Sequence, residues 1–274
     1  MEVSLRNVIR RGLSHELNCE DEALSSIFNS SLAIMAVFDG CSKGTKSHFA
    51  SGLMARILKK IMIQDKSYFE QVASERELKE VVKYITRRLF LELRTTTAYL
   101  ELTMSEVLAT MVLAVVDLNK KTGFAIMIGD GSFYVDGVLE NIDCPNNAPN
   151  YLAHYINNDD FETVWKEAVV YSKEFVVNET VAVLTDGIDS FYINNEGRYV
   201  TDSEKEIIVE RLLKSDYLLK NKVGLARICN ILQDGVEIEK DVVKKMQPRD
   251  DLAISRLTFI SPVDDSIQQT GTED

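Results

Sequence analysis

The first clear pattern along the chain is an unbroken apolar run, Ser31 to Phe38 (SLAIMAVF), closed by Asp39-Gly40. A run of that length bounded by a turn dipeptide predicts a buried strand. After a polar loop, Phe49, Leu53, Ile57, Leu58 and Ile61 recur at three- and four-residue spacing, which predicts a helix over about Ser47 to Ile63. Leu78, Val81, Val82, Ile85, Leu89 and Leu93 form a second such stripe, and the helix they predict runs from about Glu75 to Leu100.

From Val107 the pattern changes. VLATMVLAVVDL, then Phe124 to Gly129, then Phe133 to Asp136, read as consecutive strands of a meander. Asn141 to Asp160 is polar, carries Pro145 and Pro149, and predicts a surface excursion. Glu167 to Phe175 and Thr180 to Thr185 resume the strand pattern. Helices near Ser203 to Leu213 and Val223 to Leu232 precede a last strand, Leu252 to Ile260, and the polar tail 261–274 predicts disorder. The order of strands and helix pairs predicts an α+β protein with helix pairs outside packed sheets. Four scattered prolines leave no linker, so one domain over 1–260 is expected.

Composition narrows the function. The 274 residues carry 43 acidic and 31 basic side chains, a net charge of -12, and no block of Lys or Arg. Phosphate backbones need clustered positive charge, so nucleic acid is not an expected partner. The opening MEVSLRNVIRRGL lacks an apolar core of signal-peptide length, and no stretch reaches the ~18 apolar residues of a spanning helix, so no membrane role is expected. Cys19, Cys41, Cys144 and Cys229 lie far apart without a CxxC, which suggests neither a disulfide framework nor a cysteine-based zinc site. The expectation is a cytoplasmic monomer.

The chemistry gathers on aspartates at predicted strand ends: Asp39, Asp130, Asp186 and the pair Asp250-Asp251. Three of them precede glycine, the residue that lets a strand turn sharply and present its last side chain to a shared pocket. Any one Asp-Gly reads as a turn. Several carboxylates in one pocket cannot all stay ionised without cations, and hard divalent ions such as Mg²⁺ or Mn²⁺ meet that need.

Taken in order, Cys19-Glu20-Asp21, Val37-Phe38-Asp39-Gly40, Gly129-Asp130-Gly131, Thr185-Asp186-Gly187 and Arg249-Asp250-Asp251-Leu252-Ala253 resemble the protein phosphatase 2C family, from about residue 3 to residue 260. The resemblance implies a four-layer αββα sandwich of two antiparallel sheets flanked by helix pairs. It implies a compact, bacterial-type Ser/Thr protein phosphatase that acts on phosphorylated proteins through a hydroxide bridging two Mn²⁺ or Mg²⁺ ions. By matching position, Asp39 would bridge the metals, Gly40 would lend its carbonyl, and Asp186 and Asp250 would hold one ion. Glu20 or Asp21 would act through metal-bound water, with Asp21 also a candidate ligand, and Asp130 would belong to a third metal position. His15, five residues before Glu20, is a candidate proton donor to the leaving alkoxide.

Two metals ~3.5–4 Å apart make hydroxide available near neutral pH and neutralise phosphoryl oxygens, so no covalent intermediate is needed. Competing machinery is missing: a cysteine phosphatase needs Arg six residues after its Cys, where this chain has Ser25, Ser47, Asn150 and Gly235. The Gly40 to Ser47 loop resembles a phosphate-binding loop, yet three residues separate its glycines and Thr45 intervenes before Lys46. His15, His48 and His154 form no metal-binding motif. Two departures from the family matter: Glu16 stands where its phosphate-binding Arg is usual, and Ser42 replaces the later Gly of Asp-Gly-x-Gly. These keep open a pseudophosphatase that binds phosphoproteins without turnover. A nucleotide switch built on the Gly40 loop is the other alternative.

Overall fold

The computed structural model describes residues 2–44, 46–72, 77–145, 148–214, 224–239 and 242–260. The predicted tail, and the first residues of two predicted helices at Glu75 and Val223, lie outside them. The chain opens with strands β1 (Glu2–Arg10), β2 (Asp21–Phe28) and β3 (Leu32–Asp39), then helices α1 (Ser47–Gln64), α2 (Lys66–Val72) and α3 (Leu78–Tyr99). Strands β4 (Met111–Asp117), β5 (Thr122–Ile128), β6 (Gly131–Val135) and β7 (Val138–Ile142) form the meander. Helix α4 (Phe161–Ala168) leads into β8 (Val169–Val176) and β9 (Thr180–Leu184). An excursion follows: β10 (Phe191–Ile193), β11 (Arg198–Tyr199), α5 (Asp202–Leu213), α6 (Leu225–Asp234), β12 (Val236–Glu239), β13 (Val242–Lys244) and β14 (Met246–Pro248). The chain returns through β15 (Leu252–Ile260).

Two five-stranded antiparallel sheets result, ordered β2-β3-β4-β5-β8 and β1-β15-β9-β6-β7. Between them lie Met35, Val37, Ala114, Met127, Phe133, Val183 and Leu257, all fully buried. The outer face of the first sheet (Ile34, Leu113, Ile126) packs on α1 to α4, and that of the second (Leu184, Ile254) packs on α5 and α6. The architecture is the αββα sandwich. Because both faces of β3 and β4 are covered, their sequences read as unbroken apolar runs rather than alternating ones.

Several elements differ from the sequence expectation. Strands β1 and β2 occupy sheet edges, and β1 buries only Val8, so neither carries the alternation that marks a strand. Helix α2 is short and was not expected; it contributes Phe69 and Val72 to the core. The Asn141 to Asp160 segment is anchored, with Tyr151, Leu152 and Ala153 buried under the helix layer. Asp160 then caps α4 by accepting from Glu162 N (3.0 Å) and Thr163 Oγ1 (2.7 Å), so the predicted strand from Glu167 begins at Val169 instead.

The excursion between β9 and β15 is tied together by Glu204 in the first turn of α5. Its carboxylate accepts two bonds from the Arg198 guanidinium, both 2.8 Å, one from Lys244, and one from Thr201 N at 2.7 Å. Arg198, then Lys244 and the Thr201 amide, hold this carboxyl well below the usual range against the opposing effect of burial. A depressed folded-state pKa stabilises the fold above the unfolded value of ~4.3, and the benefit is lost as pH falls below it. Glu204→Gln is therefore expected to cost about 2–3 kcal/mol at pH 7, partner exposure being allowed for, and progressively less towards pH 3. Urea unfolding at the two pH values measures the difference.

Candidate metal centre

Every aspartate singled out in the sequence lies at one end of the two sheets. Strands β2 and β3 pair so that Asp21 stands opposite Asp39, and the two carboxyl groups hydrogen-bond to each other. Asp21 is 2% exposed. Burial raises the pKa of both, and the neighbouring carboxylates add to the effect. Across the interface between the sheets, the Thr185 hydroxyl accepts from Ala253 N (2.8 Å) and donates to Asp21 Oδ2 (2.6 Å). Thr185 thereby fixes the end of the second sheet against the first.

Asp186 begins a short 3₁₀ turn after β9, and burial, then Asp250 and Asp130, push its carboxyl up to about 7. The turn lies against the β15 entry: a Cβ on Gly187 would stand 1.8 Å from the Asp251 carbonyl oxygen, so only glycine fits. Asp130, in the turn between β5 and β6, is also raised by burial. At Gly40 the backbone N–H donates to the Glu20 carbonyl (3.0 Å), and a Cβ would meet the Ser47 carbonyl oxygen at 2.1 Å.

Asp250 and Asp251 divide their labour. Asp251 is 2% exposed; its Oδ1 accepts from Gly12 N (2.6 Å) and its Oδ2 from Glu20 N. Asp250 is largely exposed. His15 sits between them, with Nε2 3.2 Å from Asp250 Oδ1 and Nδ1 2.9 Å from Asp251 Oδ2, and with Glu20 Oε2 3.9 Å away. Glu20 also accepts from the Ser47 hydroxyl. Glu16, the neighbour of His15, is exposed, and its backbone carbonyl accepts from Arg11 Nη1 at 2.7 Å. Sequence reasoning assigned no individual role to Thr185 or to Asp251. Their adjacency to Asp186 and Asp250 was the only signal.

The rival chemistries find no support in this geometry. Burial pushes the Cys19 thiol up, the opposite of an activated nucleophile. In the Gly40 loop the amides turn inward, Cys41 N to Leu108 O (3.0 Å) and Gly44 N to Cys41 O (2.7 Å), so they do not cradle a phosphate. His48 is exposed on α1, and Trp165 packs at the rim of the core.

Among the described residues, no three His, Cys, Asp or Glu side chains already stand in the geometry of a closed metal cage. The donor set nevertheless fits hard cations. It is all oxygen, and its carboxyls are driven towards protonation by burial and by one another, a strain that a divalent ion relieves.

Sandwich and acidic end together define the class, and comparison with known proteins agrees. The family model described as protein phosphatase 2C matches residues 10–214. The chain belongs to the protein phosphatase 2C family. No curated protein matches the sequence. Among solved structures, the chain resembles the serine/threonine phosphatase Stp1 of Staphylococcus aureus, with TM-score 0.52, 14% identity and 96% of each chain covered. It also resembles a bacterial serine phosphatase, with TM-score 0.53 and 12% identity, covering 95% of this chain and 99% of that one. A third match is the phosphatase domain with part of the regulatory domain of SpoIIE from Bacillus subtilis, with TM-score 0.50 and 16% identity. It covers 94% of this chain and 61% of the SpoIIE chain, so this protein spans under two thirds of that relative. At such identities the likeness is one of fold. Among the described residues no helix is long and apolar enough to cross a membrane.

Proposed function

We propose that this chain is a metal-dependent protein phosphatase that hydrolyses phosphoserine and phosphothreonine monoesters on proteins, using two Mn²⁺ or Mg²⁺ ions. The observation that carries the reading is the placement of Asp21, Asp39, Asp186 and Asp250 at one end of the two sheets, where Asp21 faces Asp39 across the β2–β3 pair and the charges of Asp21, Asp186 and Asp250 bear on Asp39. Asp39 would serve both ions, with the Gly40 carbonyl on one side and Asp186 and Asp250 on the other. Asp21 and Glu20 would orient water, and Asp130 would serve a further ion. When bound, the ions supply Lewis-acid neutralisation of the phosphoryl oxygens and a lowered pKa for attacking water.

The protein's own groups supply the rest. His15 stands beside Asp250 and Asp251 on the Gly12 to Glu20 loop, and it would give a proton to the departing Ser or Thr oxygen. Thr185 fixes Asp21 by a hydrogen bond whose direction leaves the carboxylate an acceptor. The reading takes the protein as a cytoplasmic monomer with phosphorylated proteins as substrates.

A phosphoprotein-binding protein without turnover is the second reading, favoured by Glu16 at the place of the usual phosphate-binding Arg. Turnover of p-nitrophenyl phosphate separates the two. The proposal expects hydrolysis with Mn²⁺ that vanishes in EDTA and returns on adding Mn²⁺. Undiminished turnover in thoroughly chelated protein would falsify the metal-dependent reading, and absence of turnover with Mn²⁺ in folded protein would favour the second.

A further inference from the structure

Beside the His15 loop lies a cavity of about 490 Å³, lined by Arg10, Arg11, His15 and Glu16, by Gln233 of α6 and by Gln247 of β14. Both arginines are anchored by neutral oxygens. Arg10 Nη2 donates to the Ala226 carbonyl and to Asn230 Oδ1, while its Nε is buried without an acceptor. Arg11 Nη1 donates to the Glu16 carbonyl. Among the described residues neither guanidinium has a carboxylate partner, although the chain carries a net charge of -12 and Arg88, Arg94 and Arg198 each hold one. Two guanidinium groups held by neutral oxygens and the side-chain amides of Gln233 and Gln247, with Phe191 and Pro248 supplying apolar surface and Glu16 the single carboxylate of the lining, make a receptor for an anion.

The cavity adjoins the candidate centre. Leu13 N donates to Pro248 O (3.2 Å) and Ser14 N to Arg249 O (2.8 Å), so the loop that walls the cavity is stitched to the residues leading into Asp250. His15 belongs to both places: it lines the cavity and stands 3.2 Å from Asp250 Oδ1.

We propose that this cavity is an anion subsite, taking a carboxylate or phosphate group next to the phosphate handled at the acidic centre. The anion has two possible sources, an acidic residue flanking the phosphorylated one in the substrate chain, or a small free anion. Only the first rests on the phosphatase reading.

Calorimetric titration of chelator-treated protein with inorganic phosphate and with glutarate tests the site without any turnover. Saturable binding of at least one of them is expected. It should weaken at least tenfold in Gln233→Glu/Gln247→Glu, which places like charge in the cavity at constant shape, and in Arg11→Gln, which removes a charge should the first variant fail to fold. No binding of either anion, or equal binding in a folded variant, overturns the proposal.

Paired phosphoserine peptides with Glu or Ala beside the phosphoresidue then separate the sources. A kcat/KM advantage for the Glu peptide that disappears in the variants assigns the site to the substrate. Equal rates with retained anion binding assign it to a free anion. Absence of all turnover would count against the phosphatase reading, while anion binding in the calorimeter would still decide whether the cavity is a subsite.

Discussion

Asp39→Asn is expected to lower kcat/KM at least ~10³-fold with Mn²⁺ while raising the melting temperature of the metal-free protein. The two effects share one cause. Asp39 faces Asp21 across the β2–β3 pair, and burial together with the charges of Asp21, Asp186 and Asp250 raises its pKa. A carboxyl whose folded pKa lies above the unfolded value of ~3.9 binds more protons folded than unfolded, so stability falls as pH rises from that value through the folded one. Asn carries no charge and donates to Asp21 as the protonated acid does, so the repulsion disappears together with the anionic oxygen that a cation needs. Melting curves in EDTA at pH 7.5, beside initial rates with Mn²⁺, check both. A folded Asp39→Asn protein with near wild-type rate contradicts the bridging role. Asp130→Asn, altering a carboxyl in the β5–β6 turn rather than in the Asp21–Asp39 pair, should weaken metal use without abolishing turnover.

Asp251→Ala is expected to cost roughly 2–5 kcal/mol of stability and most of the activity. Sequence alone assigns this residue no role of its own beside the candidate ligand Asp250. In the fold it is the better buried of the two, and its carboxylate accepts both the Gly12 and Glu20 amides and faces His15. Removing it leaves the buried Gly12 N–H and the part-buried Glu20 N–H without their acceptor and frees the loop that presents His15 and Glu20. Asp251→Asn, which keeps one acceptor oxygen but sets an NH₂ against the second donor, should fall between. Urea unfolding at pH 7 measures the loss. A wild-type midpoint for Asp251→Ala would show that the clamp contributes nothing.

The contrast between Asp39 and Asp251 shows what a sequence reveals. Asp39, Asp130 and Asp186 were legible because each ends a strand and precedes a glycine, a local signal. Strand β15, Leu252–Ile260, was legible to the residue because its apolar run is buried on both faces. Thr185 and Asp251 were opaque because their partners, Asp21, Gly12 and Glu20, are distant in sequence and are brought together only by the packing of the two sheets. Edge strands β1 and β2 were opaque for a different reason: half-exposed positions on both faces erase the period that identifies a strand. His15 and Glu16 are adjacent, and spacing alone could not say which faces the acidic end. The position of His15, 3.2 Å from Asp250 Oδ1 and 2.9 Å from Asp251 Oδ2, decides it.

On the proposed function, the acidic end of the sandwich would hold catalytic metal. Titrating chelator-stripped protein with Mn²⁺ in a calorimeter, and following phosphate release from a phosphoserine peptide in the same samples, tests it most directly. The account predicts uptake of two ions per chain and turnover that rises with their binding, both lost in Asp39→Asn. Absence of Mn²⁺ uptake by the folded protein, or phosphate release independent of the metal added, would contradict it.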